Sequence, residues 1–336
     1  MVAASEVWPA IYGLLDDAPI EGVLAHELGP LAAGRRRAAG KPVPAALAAE
    51  ERAASFAALS ATALLKRIRE IGAGPLVLLK GPEVAALYPP NGRRFGDVDV
   101  LTPQAAGLHR SLLEHGFLEL DRPFDFREHH HLAPLRWPVV PLSVEIHLAP
   151  NWPRGIKPPP LAEILEAAVP SVVGVEGLWA PRRLHHTLLL TAHAWSHVPL
   201  GTLRELLDVA VLAADQNPAE LDRVASAWGL GRIWRTTQRA IDALFYGGSY
   251  PAALHIWARH LRAVRERTVF ESHLEALLHP FWERPAGPAL AKSLAALGSD
   301  LRPAPGESWG VKLRRVPLAV RDARVPRSHH AEHGGE

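Results

Sequence analysis

Two aspartates one residue apart, Asp97 and Asp99 in Gly96-Asp97-Val98-Asp99-Val100, carry the strongest chemical signal in the chain. Side chains alternate across a strand, so both carboxylates project from one face while Val98 and Val100 enter the core. Two carboxylates held this way repel each other and tend to keep a proton unless a divalent cation lies between them. Hard carboxylate oxygens suit magnesium, which bridges such groups to phosphate oxygens. An Asp-x-Asp is common by itself, and its meaning depends on what surrounds it.

Upstream, the apolar run Leu76 to Leu79 ends in Lys80-Gly81-Pro82, which reads as a strand, a turn and the first turn of a short helix over residues 82–88. Free backbone N–H groups and the helix dipole favour an anion at such a point. Gly81 lets a phosphate come close to the main chain, and Lys80 adds a point charge suited to a triphosphate. The Gly-x-x-x-x-Gly-Lys spacing of a Walker loop is absent, and without the aspartates Lys80 would read as a surface lysine at a strand end.

Downstream, Leu142 to Leu148 alternates, with Ser143, Glu145 and His147 on one face and Leu142, Val144, Ile146 and Leu148 on the other. Glu145 is therefore a candidate third carboxylate, as metal ligand or base. Two-metal nucleotidyl transfer needs such a group, because one ion activates the attacking hydroxyl while the other holds the leaving pyrophosphate. The ordinary alternative is an exposed glutamate on an amphipathic strand. Arg93 and Arg94 just precede the acidic strand, one placed to pair with Asp97 or Asp99 and one to reach a triphosphate.

Histidines need separate weighing. His186, His193 and His197 fall on one stripe of a helix expected over 183–198, and His193 with His197 has the spacing of paired metal ligands. Ala194 stands where a zincin glutamate would be, so packing or polar contacts under the sheet are expected, with a place in the nucleotide or acceptor pocket as the other option. Of His129, His130 and His131, at most His129 and His131 can approach the site from one strand face, and a half-exposed strand is the ordinary reading. Trp137, Trp152, Trp179 and Trp195 have no basic residues interleaved and read as packing rather than as a base-stacking platform.

The elements that must position these groups follow from periodicity. Residues 1–74 are Ala-rich with helical spacing (Trp8, Ile11, Leu15, then Leu47, Leu59, Leu64, Leu65, Ile68), interrupted by Gly34 to Pro44, where Arg35, Arg36 and Arg37 read as a solvated loop. Residues 75–150 hold the strands, with a helix capped by Thr102-Pro103 and a hairpin ending in 142–148. Residues 151–300 are helical again, most clearly at 183–198 and 202–215, and 301–336 read as a poorly ordered tail.

At 336 residues, 48% hydrophobic and 21% charged, the chain has the make-up of a folded globular protein. A net charge of +2 is far from a nucleic-acid-binding surface. With no cysteine, disulfides, thiolate zinc sites and thiol nucleophiles are excluded, and a metal must be held by oxygen or imidazole. No run of eighteen apolar residues is present and the N-terminal residues are acidic (Glu6, Asp16, Asp17), so a cytoplasmic protein with no membrane partner is expected.

Together Leu78-Leu79-Lys80-Gly81, Ala85, Tyr88-Pro89, Arg93 or Arg94, Gly96 to Val100 and Val144-Glu145-Ile146-His147-Leu148 resemble a poorly characterised bacterial nucleotidyltransferase-like family of the polymerase-beta fold superfamily. The likeness covers about residues 50 to 215 and extends into the helices, where His193, His197, Arg204 and Asp208 follow the family's order of histidines, arginine and aspartate. It implies an α+β fold, a polymerase-beta-like nucleotidyltransferase core with a small mixed sheet between N- and C-terminal helical segments. It also implies Asp97 and Asp99 as magnesium ligands, two ions, and a nucleoside triphosphate substrate with ATP favoured. Lys80-Gly81 would replace the superfamily's Gly-Ser loop, and Glu145 stands where aspartate is usual. The expected reaction moves a nucleoside monophosphate to an unidentified hydroxyl acceptor, a small molecule, peptide or protein. The alternative is a catalytically degenerate nucleotide- or partner-binding protein of the same fold.

Overall fold

Alternation in the strands decides which face of the sheet meets which helices. The computed structural model describes residues 4–17, 23–120, 130–303, 308–312 and 314. In chain order it contains α1 (Ala4–Asp17), α2 (Val23–Ala38), α3 (Ala45–Ile71), β1 (Leu76–Leu78), α4 (Pro82–Ala85), β2 (Asp97–Leu101), α5 (Ala105–Glu114), β3 (Leu118–Glu119), β4 (Leu135–Arg136) and β5 (Ser143–His147). There follow α6 (Leu161–Glu166), β6 (Val169–Pro170), β7 (Leu178–Ala180), α7 (Arg183–His197), α8 (Leu203–Ala213), α9 (Pro218–Ala227) and α10 (Gly231–Phe245). The last described helices are α11 (Ala252–Ile256), α12 (Arg259–Ala263), α13 (Val269–Leu278), α14 (Pro280–Glu283) and α15 (Ala286–Leu301). This is the expected α+β arrangement, helices flanking one mixed sheet.

The sheet has seven strands in the order β3-β4-β5-β2-β1-β7-β6. β2 runs parallel to β5 and antiparallel to β1, and β1 runs parallel to β7. Leu76, Leu78, Val98, Val100, Val144 and Ile146 point to one side, into a core with Leu64, Leu65 and Ile68 of α3 and Leu108 and Leu112 of α5. Val77 and Leu101 point the other way, into a second core with Leu188 and Leu189 of α7 and Leu207 of α8. Asp97 and Asp99 share the parity of Leu101, so the carboxylate face of the sheet looks towards α7 and α8. The second core also takes in Ile11 and Leu15 of α1, Leu31 of α2 and Trp234 of α10, which brings the N-terminal helices onto the C-terminal ones.

Local signals explain the helix ends. Pro82 occupies the first turn of α4, where its missing N–H is no loss. The Thr202 side chain caps α8 by accepting from Glu205 N, and Thr268 with Glu271 forms a capping box on α13. Helix α5 begins at Ala105, two residues later than Thr102-Pro103 suggests, because Thr102 Oγ1 accepts from Gln104 N in a local turn.

Two expectations are corrected. Arg35, Arg36 and Arg37 form the last turn of α2 rather than a loop. Cations are favoured at a helix C-terminus, and each has an acceptor: Arg35 pairs with Asp16 at 2.7 Å, Arg36 donates to Pro42 O, and Arg37 pairs with Glu51. Trp152 and Trp195 are buried and Trp137 stacks on Phe117, but Trp179 on β7 is 38% exposed and is not a packing residue of comparable kind. Most of the 301–336 tail, and His129, lie outside the described residues. Among the described residues no helix is long and apolar enough to cross a membrane.

Candidate functional site

The parallel pairing of β2 with β5 puts Asp97 opposite Ser143, Asp99 opposite Glu145 and Leu101 opposite His147. Both strands keep the same parity in this register, so Asp97, Asp99, Glu145 and His147 open onto one face. Asp99 and His147 are buried, at 2% and 1% exposure, while Asp97 and Glu145 are half-buried. His147 Nε2 donates to Asp99 Oδ1 at 2.8 Å. His131 joins from a bridge to His147, its Nε2 3.8 Å from Glu145 Oε2.

The electrostatics divide the carboxylates. Burial works to raise Asp99, but the hydrogen bond and charge of His147, with Lys80, outweigh it and hold the carboxyl below the usual range. Burial and then repulsion from Asp99 push Asp97 up, against the opposing charges of Lys80, Arg93 and Arg204. Glu145 is likewise raised, by burial first and Asp99 second, with His131 opposing. Three carboxylates this close are at cross purposes without a cation.

A dication fits these residues. Asp99, Glu145 and His147 each present a donor atom, all within 4.8 Å of one another. Asp99 Oδ2 and His147 Nδ1 are buried with no hydrogen-bond partner among the described residues, a costly condition unless something else satisfies them. Asp97 stands one pleat away, outside that tight group, on the side where Lys80 acts on both aspartates.

Lys80 leaves the end of β1 as expected, and its Nζ donates to His193 Nε2 at 2.7 Å. Burial, the Lys80 charge and His197 hold the His193 pKa well below its ordinary value, so the imidazole is a neutral acceptor. Asn151 Nδ2 donates to His197 Nε2 at 2.9 Å. His186 has a different place: its Nε2 donates to Leu79 O at 2.7 Å, with burial pushing its pKa down to about 4. The stripe therefore splits, His186 fastening α7 under the sheet and His193 meeting Lys80.

Gly81 has φ +61°, and a Cβ there would lie 2.5 Å from the Asp97 carbonyl oxygen. Only glycine allows the turn to close onto β2. Helix α4 is four residues long, too short for a substantial dipole, and the positive charge at this turn comes from Lys80.

The two arginines are not brought together with the carboxylates as ion-pair partners. Arg93 is buried and grips Asp208 of α8 through Nε and Nη2, both at 2.7 Å, while Tyr88 OH donates to the same carboxylate at 2.6 Å. Arg93 Nη1 also reaches Gly81 O at 3.4 Å, so it braces the turn from behind. Arg94 turns outward to Glu50 at 2.8 Å, on the surface. His147 was visible in the sequence on the face of Glu145, yet its hydrogen bond to Asp99 depends on strand register; Tyr88 belongs to the stretch that carries the family resemblance, but its bond to Asp208 had no local signature.

Searches of curated proteins and of solved structures find no match. A family model described as uncharacterised nucleotidyltransferase matches residues 5–245, a span that contains every residue of the site from Lys80 to Asp208. On that match, with the acidic pair on β2 facing Glu145 and His147 beside the Lys80-Gly81 turn, the chain belongs to this nucleotidyltransferase family.

Proposed function

We propose that the protein is a magnesium-dependent nucleotidyltransferase that moves a nucleoside monophosphate from a nucleoside triphosphate, ATP favoured, to a hydroxyl of an acceptor. The observation that carries this reading is the pairing of Asp99 with Glu145 in register, Asp97 and His147 flanking it, beside a turn in which Lys80 is followed by Gly81. Asp97 and Asp99 would hold the cation that accompanies the triphosphate, and Asp99, Glu145 and His147 a second one. Bound there, such cations would supply charge neutralisation at the phosphoryl group and a more acidic acceptor hydroxyl.

Lys80 orients and neutralises the outer phosphates, exchanging the His193 nitrogen for a phosphate oxygen. Glu145, on the face it shares with the aspartates, takes the acceptor hydroxyl proton on a carboxylate oxygen. Arg93, clamped by Asp208, keeps the Gly81 turn against β2 and so fixes the approach of the phosphates.

The direct test is magnesium-dependent pyrophosphate release from each of the four nucleoside triphosphates, with and without cell extract as a source of acceptor. No release under any of these conditions would leave a nucleotide-binding protein without turnover. Glu145→Gln is expected to keep nucleotide affinity nearly unchanged and to lower turnover by about a hundredfold; undiminished turnover would remove Glu145 from proton transfer. Lys80→Ala is expected to weaken triphosphate binding by about tenfold or more while barely changing monophosphate binding, since its charge acts on the outer phosphates. Isothermal titration with both ligands checks this, and equal losses would place Lys80 away from the phosphate tail.

A further inference from the structure

We propose that Asp99, Glu145 and His147 form a resident site for a transition-metal dication, for which Mn2+ is the spectroscopic probe, separate in its ligand chemistry from the magnesium carried in with a nucleotide. The inference deepens the reading above and rests on it for the role of the cation, while the binding itself can be read with no nucleotide present.

Donor chemistry is the first argument. Asp97 and the outer face of Asp99 offer only carboxylate oxygens, which suit magnesium. The inner group adds an imidazole nitrogen. Magnesium takes oxygen ligands and gives up its water reluctantly, whereas imidazole with carboxylates favours first-row transition metals, whose affinities rise along the series from manganese. One site of each kind follows from the alternation of β2 and β5, with Asp99 shared between them.

Geometry is the second. The three donor atoms fall within 4.8 Å of one another, so small side-chain shifts bring them to one ion. Asp99 Oδ2 and His147 Nδ1 are unsatisfied and fully enclosed among the described residues, which a hydrogen-bonded pair built for stability alone would avoid. His131 packs its ring 5.4 Å from that of His147 and approaches Glu145, and this restricts the movement of both.

The test uses the full chain, stripped with a chelator and reloaded with Mn2+. The expected result is one tightly bound Mn2+ per chain, retained against a hundredfold excess of Mg2+, with 14N coupling from imidazole in its pulsed electron paramagnetic resonance spectrum. His147→Asn should lose that coupling and bind Mn2+ at least about tenfold more weakly. The wild-type spectrum stands even where the variant folds poorly. Mn2+ that exchanges freely with Mg2+, or a spectrum with no nitrogen coupling, would overturn the proposal. Absent nucleotide turnover with the manganese signal intact would sink the enzymatic reading and leave this one standing; turnover on Mg2+ alone without nitrogen coupling would do the reverse.

Discussion

Asp97→Asn and Asp99→Asn are each expected to lower metal-dependent turnover by about a thousandfold or more, roughly 4 kcal/mol of lost transition-state stabilisation, while leaving the fold intact. Asparagine keeps the shape of aspartate and removes one negative charge from a face where Asp97, Asp99 and Glu145 repel one another. In the metal-free protein the thermal midpoint of Asp97→Asn should therefore be no lower than that of the wild type, because the lost charge was destabilising. Activity falls while stability holds or rises, which separates a metal ligand from a structural residue. Pyrophosphate release and thermal denaturation in chelator measure the two sides. Full activity in both variants would end the two-carboxylate metal site.

The second large effect concerns stability. Asp208→Ala removes the only carboxylate to which Arg93 is hydrogen-bonded in the described structure, leaving a guanidinium buried at 7% exposure and Tyr88 without its acceptor. Breaking one side of a buried pair costs about 3–5 kcal/mol, a large share of a domain's total stability. Urea denaturation should show that loss. The double variant Arg93→Met with Asp208→Leu should recover much of it, since no uncompensated charge stays inside. If Asp208→Ala came within about 1 kcal/mol of the wild type, the pair would count as no more than a surface bridge in energetic terms.

The legible part of the site was the part written locally. Asp97 and Asp99 on one strand face, and Glu145 with His147 on another, follow from a period of two. Their meeting does not, because a parallel pairing between strands more than forty residues apart has no local signature. The same holds for Arg93, whose neighbours Asp97 and Asp99 suggested a partner close in sequence. Its partner Asp208 lies 115 residues away on α8, and only the packing of α8 against the sheet reveals it. At the N-terminus, Gly34, Gly40, Pro42 and Pro44 read as breakers and the arginines between them as a loop. A single glycine costs a helix only about 1 kcal/mol, too little to end α2 at Gly34, and the three arginines find carboxylate or carbonyl partners at its C-terminal end. The helices at 183–197 and 203–213 were readable because their apolar stripes are long and regular.

The hydrogen bond between Lys80 and His193 joins two parts of the molecule that the chain keeps 113 residues apart. An anion that draws the ammonium away leaves the imidazole nitrogen without its donor, so occupancy beside the sheet and the resting arrangement at the end of α7 are one equilibrium rather than two. Linkage of this kind is reciprocal. Whatever secures or loosens that end of the helix, including a molecule resting against His197 and Asn151, changes the affinity for the anion by the same factor that the anion changes the affinity for it.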